Sequence, residues 1–209
     1  MPLTSHYSTL SAVLAVLTAL LLSTLTTTGS HGQTQSSNQS LTNASALDLI
    51  YRQRYNDAIT RLEEILEREP GNPEAITYLA TANLYQTMDF MKAQKGFENA
   101  FETGGGATFF VTHAHEALAT GDVVDYCRGW LHLRHNRIQY VPLDGTHALD
   151  LTYSQVQEFK RNKVTKRSFH IKVEGKNQNF RGRSNSDTEA LLIVALYNSF
   201  ARSNGVTPN

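Results

Sequence analysis

The chain has 209 residues, 40% of them hydrophobic, which is room for one or two modest domains with real cores. Nineteen Lys and Arg balance nineteen Asp and Glu, so no global field recruits nucleic acid or an anionic membrane. Cys127 is the one cysteine, which excludes an internal disulfide, a CxxC redox pair and a zinc site built of cysteines.

An apolar run from Leu10 to Leu25 follows nine residues that contain no Lys or Arg. Its length of about 16 residues suits a signal-peptide core better than a membrane span of about 20. Residues 1–30 are therefore expected to be a signal peptide or N-terminal anchor, and the protein to be exported to the periplasm or cell envelope. Thr28, Gly29 and Ser30 offer a cleavage region, and no cysteine follows to carry a lipid. Residues 31–44 are rich in Gln, Ser and Asn and read as a disordered tether. Asn38-Gln-Ser and Asn43-Ala-Ser match the glycosylation sequon, as chance matches in such a composition would.

Helical periodicity starts next. Ala58, Leu62, Ile65 and Leu66 share one helical face, with Arg61, Glu63, Glu64 and Glu67 opposite. Pro70-Gly71-Asn72-Pro73 ends that helix; Asn72 can cap the following one, and Pro73 suits its first turn because its missing N–H would be unpaired there. Ile76, Leu79, Ala80 and Asn83 share a face of that next helix. Phe90, Ala93, Phe97, Ala100 and Phe101 form a further apolar stripe after Met88-Asp89.

Charge divides the chain. Ala44 to Glu102 carries ten acids against six bases, and Thr103 onward nine against thirteen. The shift falls at Gly104-Gly105-Gly106, where a domain boundary is expected. This separates helical hairpins at 45–103 from a β-rich domain at 107–202, with a disordered tail at 203–209.

After the glycines the period becomes two. Strands are predicted at Thr108–His113, Cys127–Leu133, Arg137–Val141, His147–Tyr153, Ser168–Val173 and Asn177–Arg183. Asp144-Gly145, Glu174-Gly175 and His135-Asn136 supply turns. Trp130, Ile138, Tyr140, Phe169, Ile171, Val173 and Phe180 make the expected core. Ser186 caps a last helix, Glu189 completes a capping box, and LLIVALYNSF, apolar nearly all round, should be deeply packed.

The helical half resembles the tetratricopeptide repeat. Ala58 and Ala93 match its small crossing residues, Leu62 and Phe97 its bulky residues one turn later, and Pro70 its terminal proline; Ala46 and Ala80 stand where the family prefers glycine. The resemblance implies a protein or peptide partner held by the hairpins. Two such units are too few to stand alone, so they must dock on the β half, on a second copy, or on a partner. Meander strands followed by one helix resemble the pleckstrin-homology/GRAM type. The order of repeats followed by "YCRGWL…IQYVP…SFHIKV…NF" is also similar to uncharacterised exported bacterial proteins. The expected class is α+β: helical hairpins, then a small antiparallel barrel or sheet closed by a C-terminal helix.

Two constellations are candidates for chemistry. Lys160, Arg161, Lys163, Lys166 and Arg167 form the densest charge run, expected in the connection before the Phe169 strand. Basic loops of pleckstrin-homology-like domains often bind phosphate headgroups, so this run is the candidate anionic-ligand site. No aromatic residue alternates with these bases, which argues against nucleic acid. His113-Ala-His115-Glu116 has metal-ligand spacing, since residues two apart on a strand share a face, and His132 or His147 would complete a set. Glu116-Ala117 replaces the Asp-His that a hydrolase of the HxHxDH kind needs. Gly104–Gly106 lacks the Lys-Ser/Thr of a phosphate loop, and GxSxG and HExxH are absent. Cys127 reads as a small buried apolar residue, because a nucleophile needs a base within hydrogen-bonding distance. The sequence therefore predicts a non-catalytic interaction adaptor with no cofactor, no catalytic residues and no bound metal, and with homo-oligomerisation open. Anionic-ligand binding is the alternative, and a metal-dependent hydrolase comes third.

Overall fold

The computed structural model describes residues 43–117, 123–145 and 147–208. The expected leader, the tether through residue 42 and the Asn38 sequon lie outside them. Asn43 of the second sequon begins the first helix rather than ending a tether; it is buried, and its Nδ2 donates to Glu74 Oε2 at 3.0 Å. Its side chain is thus committed to packing.

Four helices come first: α1 (residues 43–51), α2 (Tyr55–Arg68), α3 (Pro73–Thr87) and α4 (Phe90–Glu102). Ala58, Leu62 and Ile65 are the buried face of α2, as their spacing predicts. Asn72 Oδ1 accepts from Ala75 N–H at 3.0 Å and Pro73 opens α3, so the start signals act as read. Asp89 caps α4 in the same way, accepting from Lys92 N–H. Gly96 has no side chain because a Cβ there would lie 3.1 Å from Ala80 Cβ, which lets α3 and α4 cross closely.

Seven strands follow: β1 (Gly106–Ala117), β2 (Val123–Arg134), β3 (Arg137–Pro142), β4 (Leu149–Thr152), β5 (Glu158–Arg161), β6 (Ser168–Val173) and β7 (Lys176–Gly182). They form one antiparallel sheet in the order β4-β3-β2-β1-β7-β6-β5. Among the described residues β4 and β5 are free edges, so the sheet is not a closed barrel. Glu174 and Gly175 both take positive φ at the β6–β7 turn, the conformation a tight hairpin requires. Helix α5 (Asp187–Ser203) packs on β5, β6, β7 and β2 and touches α4. It buries Ala190, Leu192, Ile193, Leu196, Tyr197, Phe200 and Ala201 but leaves Leu191 exposed, so it is not apolar-packed all round. This is the α+β class and the strand-then-helix arrangement of the pleckstrin-homology type.

Gly104–Gly106 marks a change of secondary structure inside one compact unit, Thr42–Asn209. Helices α3 and α4 dock on β1: Thr81 Oγ1 donates to Thr108 O at 3.0 Å, Thr77 Oγ1 accepts from Gly106 N–H at 3.1 Å, and Phe97 packs on Phe109 at 5.1 Å. Helices α3 and α4 thus bury one face on the sheet. The segment after α5 is held too. Asn204 Nδ2 donates to His135 O at 2.8 Å, and Val206 packs on the core. Among the described residues no helix is long and apolar enough to cross a membrane.

Candidate functional site

A row of rings runs through the interior face of the sheet. Tyr153 stacks on Tyr197, Tyr197 on Phe159, Phe159 on Phe169, Phe169 on Phe180, and Phe180 on His113 at 4.6 Å between centroids. The row ends in polar chemistry. His113 and Cys127 are directly paired across β1 and β2, and both are buried. Cys127 Sγ lies 2.9 Å from His115 Nε2, 3.1 Å from Tyr140 Oη and 3.7 Å from His113 Nδ1. His147 brings its ring to 4.0 Å from that of His115 and 6.4 Å from that of His113. Burial lowers the His113 pKa, and the neighbouring His115 and His147 act in the same direction; the hydrogen bond to Gln178 opposes them. Burial, then the Cys127 thiol beside it, pushes the Tyr140 hydroxyl up.

The spacing of His113 and His115 is therefore meaningful, and His147 joins them while His132 does not. His132 sits on the other face of β2, buried against Thr108 Oγ1 at 3.0 Å, and desolvation lowers its pKa to about 3. Cys127 is no isolated apolar residue. A sequence reading misses it because only the β1–β2 register places it opposite His113. A thiol with an imidazole at hydrogen-bonding distance is also the minimal nucleophile–base pair, but at 3% exposure Cys127 gives an incoming substrate little access.

The basic run divides in two. Lys160 and Arg161 belong to β5 rather than to a connection, and each has a carboxylate: Lys160 Nζ lies 3.3 Å from Glu158, and Arg161 pairs with Asp187. Lys163, Lys166 and Arg167 stand exposed on the β5–β6 turn, and no carboxylate pairs with them among the described residues. Arg181 of β7 completes a depression of about 480 Å³ lined also by Val164, Thr165, Asn185 and Asp187. Val164 is 95% exposed among these bases.

Glu189 does not close a capping box. Ser186 Oγ accepts from Glu189 N–H at 3.1 Å as expected, but the carboxylate turns inward. It is fully buried and accepts from Ser184 N–H at 2.7 Å, Ser184 Oγ at 2.5 Å and Tyr85 Oη at 3.2 Å. Tyr85 Oη in turn accepts from Phe110 N–H at 2.9 Å, tying α3, β1 and α5 together. Gly182 makes the turn possible, since a Cβ there would lie 2.4 Å from Glu189 Cδ. Desolvation raises the Glu189 pKa against the pull of these hydrogen bonds.

No family model matches the chain, and no curated protein matches it in sequence. Solved structures do resemble it in part. The N-terminal PH domain of human ARAP2 has 10% identity and a TM-score of 0.38, covering 49% of this chain and 84% of that one. Inner Membrane Complex Sub-compartment Protein 3 of Toxoplasma gondii has 12% identity and a TM-score of 0.36, covering 54% and 85%. The C-terminal domain of an unknown protein from Leishmania infantum has 7% identity and a TM-score of 0.33, covering 43% and 80%. At such scores the architecture rests on the chain's own strand order and terminal helix. The tetratricopeptide resemblance and the similarity to exported bacterial proteins gain no support from these comparisons and rest on sequence residues alone.

Proposed function

We propose that this is a non-catalytic binding protein whose β5–β6 turn contacts an anionic lipid surface. The observation that carries the reading is the company Val164 keeps. An apolar side chain fully in solvent is flanked by Lys163, Lys166 and Arg167, with Arg181 beside them. Bases at a phosphate-rich interface each contribute about 1 kcal/mol, and an apolar tip among them enters the headgroup layer. Lys160 and Arg161 drop out of the candidate set because Glu158 and Asp187 neutralise them. Co-sedimentation with phosphatidylcholine vesicles, with and without phosphatidylserine, tests this. Lys166→Gln/Arg167→Gln is expected to weaken binding to the anionic vesicles about thirtyfold, the sum of two such contributions. Equal partition of the variant and the parent chain would sink the reading.

The adaptor reading keeps one observation. A groove of about 170 Å³ beside the α3–α4 crossing is lined by Ile76, Leu79, Asn83, Lys92, Gly96 and Asn99. Thr77, Thr81, Tyr85 and Phe97 are spent on β1 and cannot bind a partner. The groove is left for an extended peptide segment of a partner protein. Phage-displayed peptides selected on the parent chain should lose binding to Leu79→Arg, which fills the groove; undiminished binding removes it as the peptide site.

A further inference from the structure

We infer that His113, His115 and Cys127 form a site for a divalent transition-metal ion of the zinc class. Their ligand atoms all lie within 4.8 Å of one another, two nitrogens and one sulfur converging from neighbouring strands. Around a tetrahedral ion, bonds of about 2.0–2.1 Å to nitrogen and about 2.3 Å to sulfur hold N and S roughly 3.5 Å apart. The 3.7 Å between His113 Nδ1 and Cys127 Sγ already matches that separation. His115 Nε2, at 2.9 Å from the sulfur, has to retreat by about half an ångström, exchanging its hydrogen bond to sulfur for a bond to the ion. His115 is half-buried and can make that shift.

The surrounding groups fit ligation. His113 Nε2 lies 3.0 Å from Gln178 Oε1; donating there places the ring proton on Nε2 and leaves the Nδ1 lone pair facing the sulfur. The Tyr140 hydroxyl, 3.1 Å from Sγ, donates to the thiolate that metal binding creates. The exposed His147, with its ring centroid 4.0 Å from that of His115, stands beside the three ligands. Imidazole and thiolate together select zinc, cobalt or copper over the oxygen-seeking magnesium and calcium. On binding, the thiol proton passes to solvent and the S–M bond forms, with no change of oxidation state.

The full chain, stripped of metal, is titrated with Co²⁺ as the probe. One equivalent should bind with a tetrahedral visible spectrum and a thiolate-to-cobalt charge-transfer band in the near ultraviolet, and Zn²⁺ should displace it. Cys127→Ser should remove the band. His115→Ala, at a half-exposed position that tolerates truncation, should weaken binding at least a hundredfold, whereas His132→Ala, outside the cluster, should leave affinity and spectrum unchanged. Binding without the charge-transfer band, or equal affinity in His115→Ala, overturns the proposal and assigns any uptake to other histidines.

Discussion

Phe97→Ala is expected to destabilise the protein by about 4 kcal/mol, the range for deleting a fully buried aromatic ring whose surroundings relax only in part. Phe97 has no exposed surface and lies 5.1 Å from Phe109, so the ring fills the seam between α4 and β1. For a unit of this size each kcal/mol lowers the melting temperature by about 2–4 °C, giving a fall of roughly 10 °C. The form of the transition is as informative as its position. If helices and sheet make one cooperative unit, the far-ultraviolet helix signal and Trp130 fluorescence will shift together. Two separated transitions in the variant would mean that the hairpins and the sheet fold as independent domains, contrary to the docking contacts of Thr77, Thr81 and Phe97.

Glu189→Ala is expected to reduce stability by about 3 kcal/mol. It leaves the Ser184 N–H and the Tyr85 hydroxyl hydrogen without their acceptor, at about 1–3 kcal/mol for each buried donor left unpaired. Glu189→Gln keeps the volume and separates packing from charge. Desolvation raises the folded-state pKa of Glu189, so between the unfolded value near 4.5 and the folded one the native state holds the extra proton. That contribution is present in full below the unfolded pKa and is lost as pH rises through the folded pKa. Across that window Glu189 makes stability fall with pH, by at most about 1.4 kcal/mol per unit. Denaturant unfolding at a series of pH values should show that component removed in Glu189→Gln. An unchanged slope would mean that Glu189 is not the group responsible.

Both effects begin in features of different legibility. The Ala58/Leu62 and Ala93/Phe97 stripes announce buried helix faces, because helical period and burial are local and repeat within a few residues. Asn72, Pro73 and the Glu174-Gly175 turn are equally local: each acts on backbone groups within three or four residues of itself. Strand β5 was invisible. Glu158–Arg161 offers only Phe159 as an inward apolar residue on an edge, and its charges read as a loop. Lys160 and Arg161 therefore belong to a strand that the local charge pattern hides, not to the turn that follows it.

The chain itself determined its α+β class, its hairpin turns and the inward side of its main strands, since these follow from spacing along the backbone. It also determined that His113 and His115 share a face. Tertiary structure alone decided the rest. Register set Cys127 opposite His113, and the β3–β4 connection carried His147 to the pair while β2 turned His132 away. Docking on β1 covered Thr77, Thr81 and Tyr85 of α3 and Phe97 of α4, leaving Ile76, Leu79 and Asn83 on the open groove, and the Tyr85 hydroxyl met the Glu189 carboxylate inside the fold, away from its cap. Each of these joins residues far apart in sequence, where neither period nor spacing carries the distance between them.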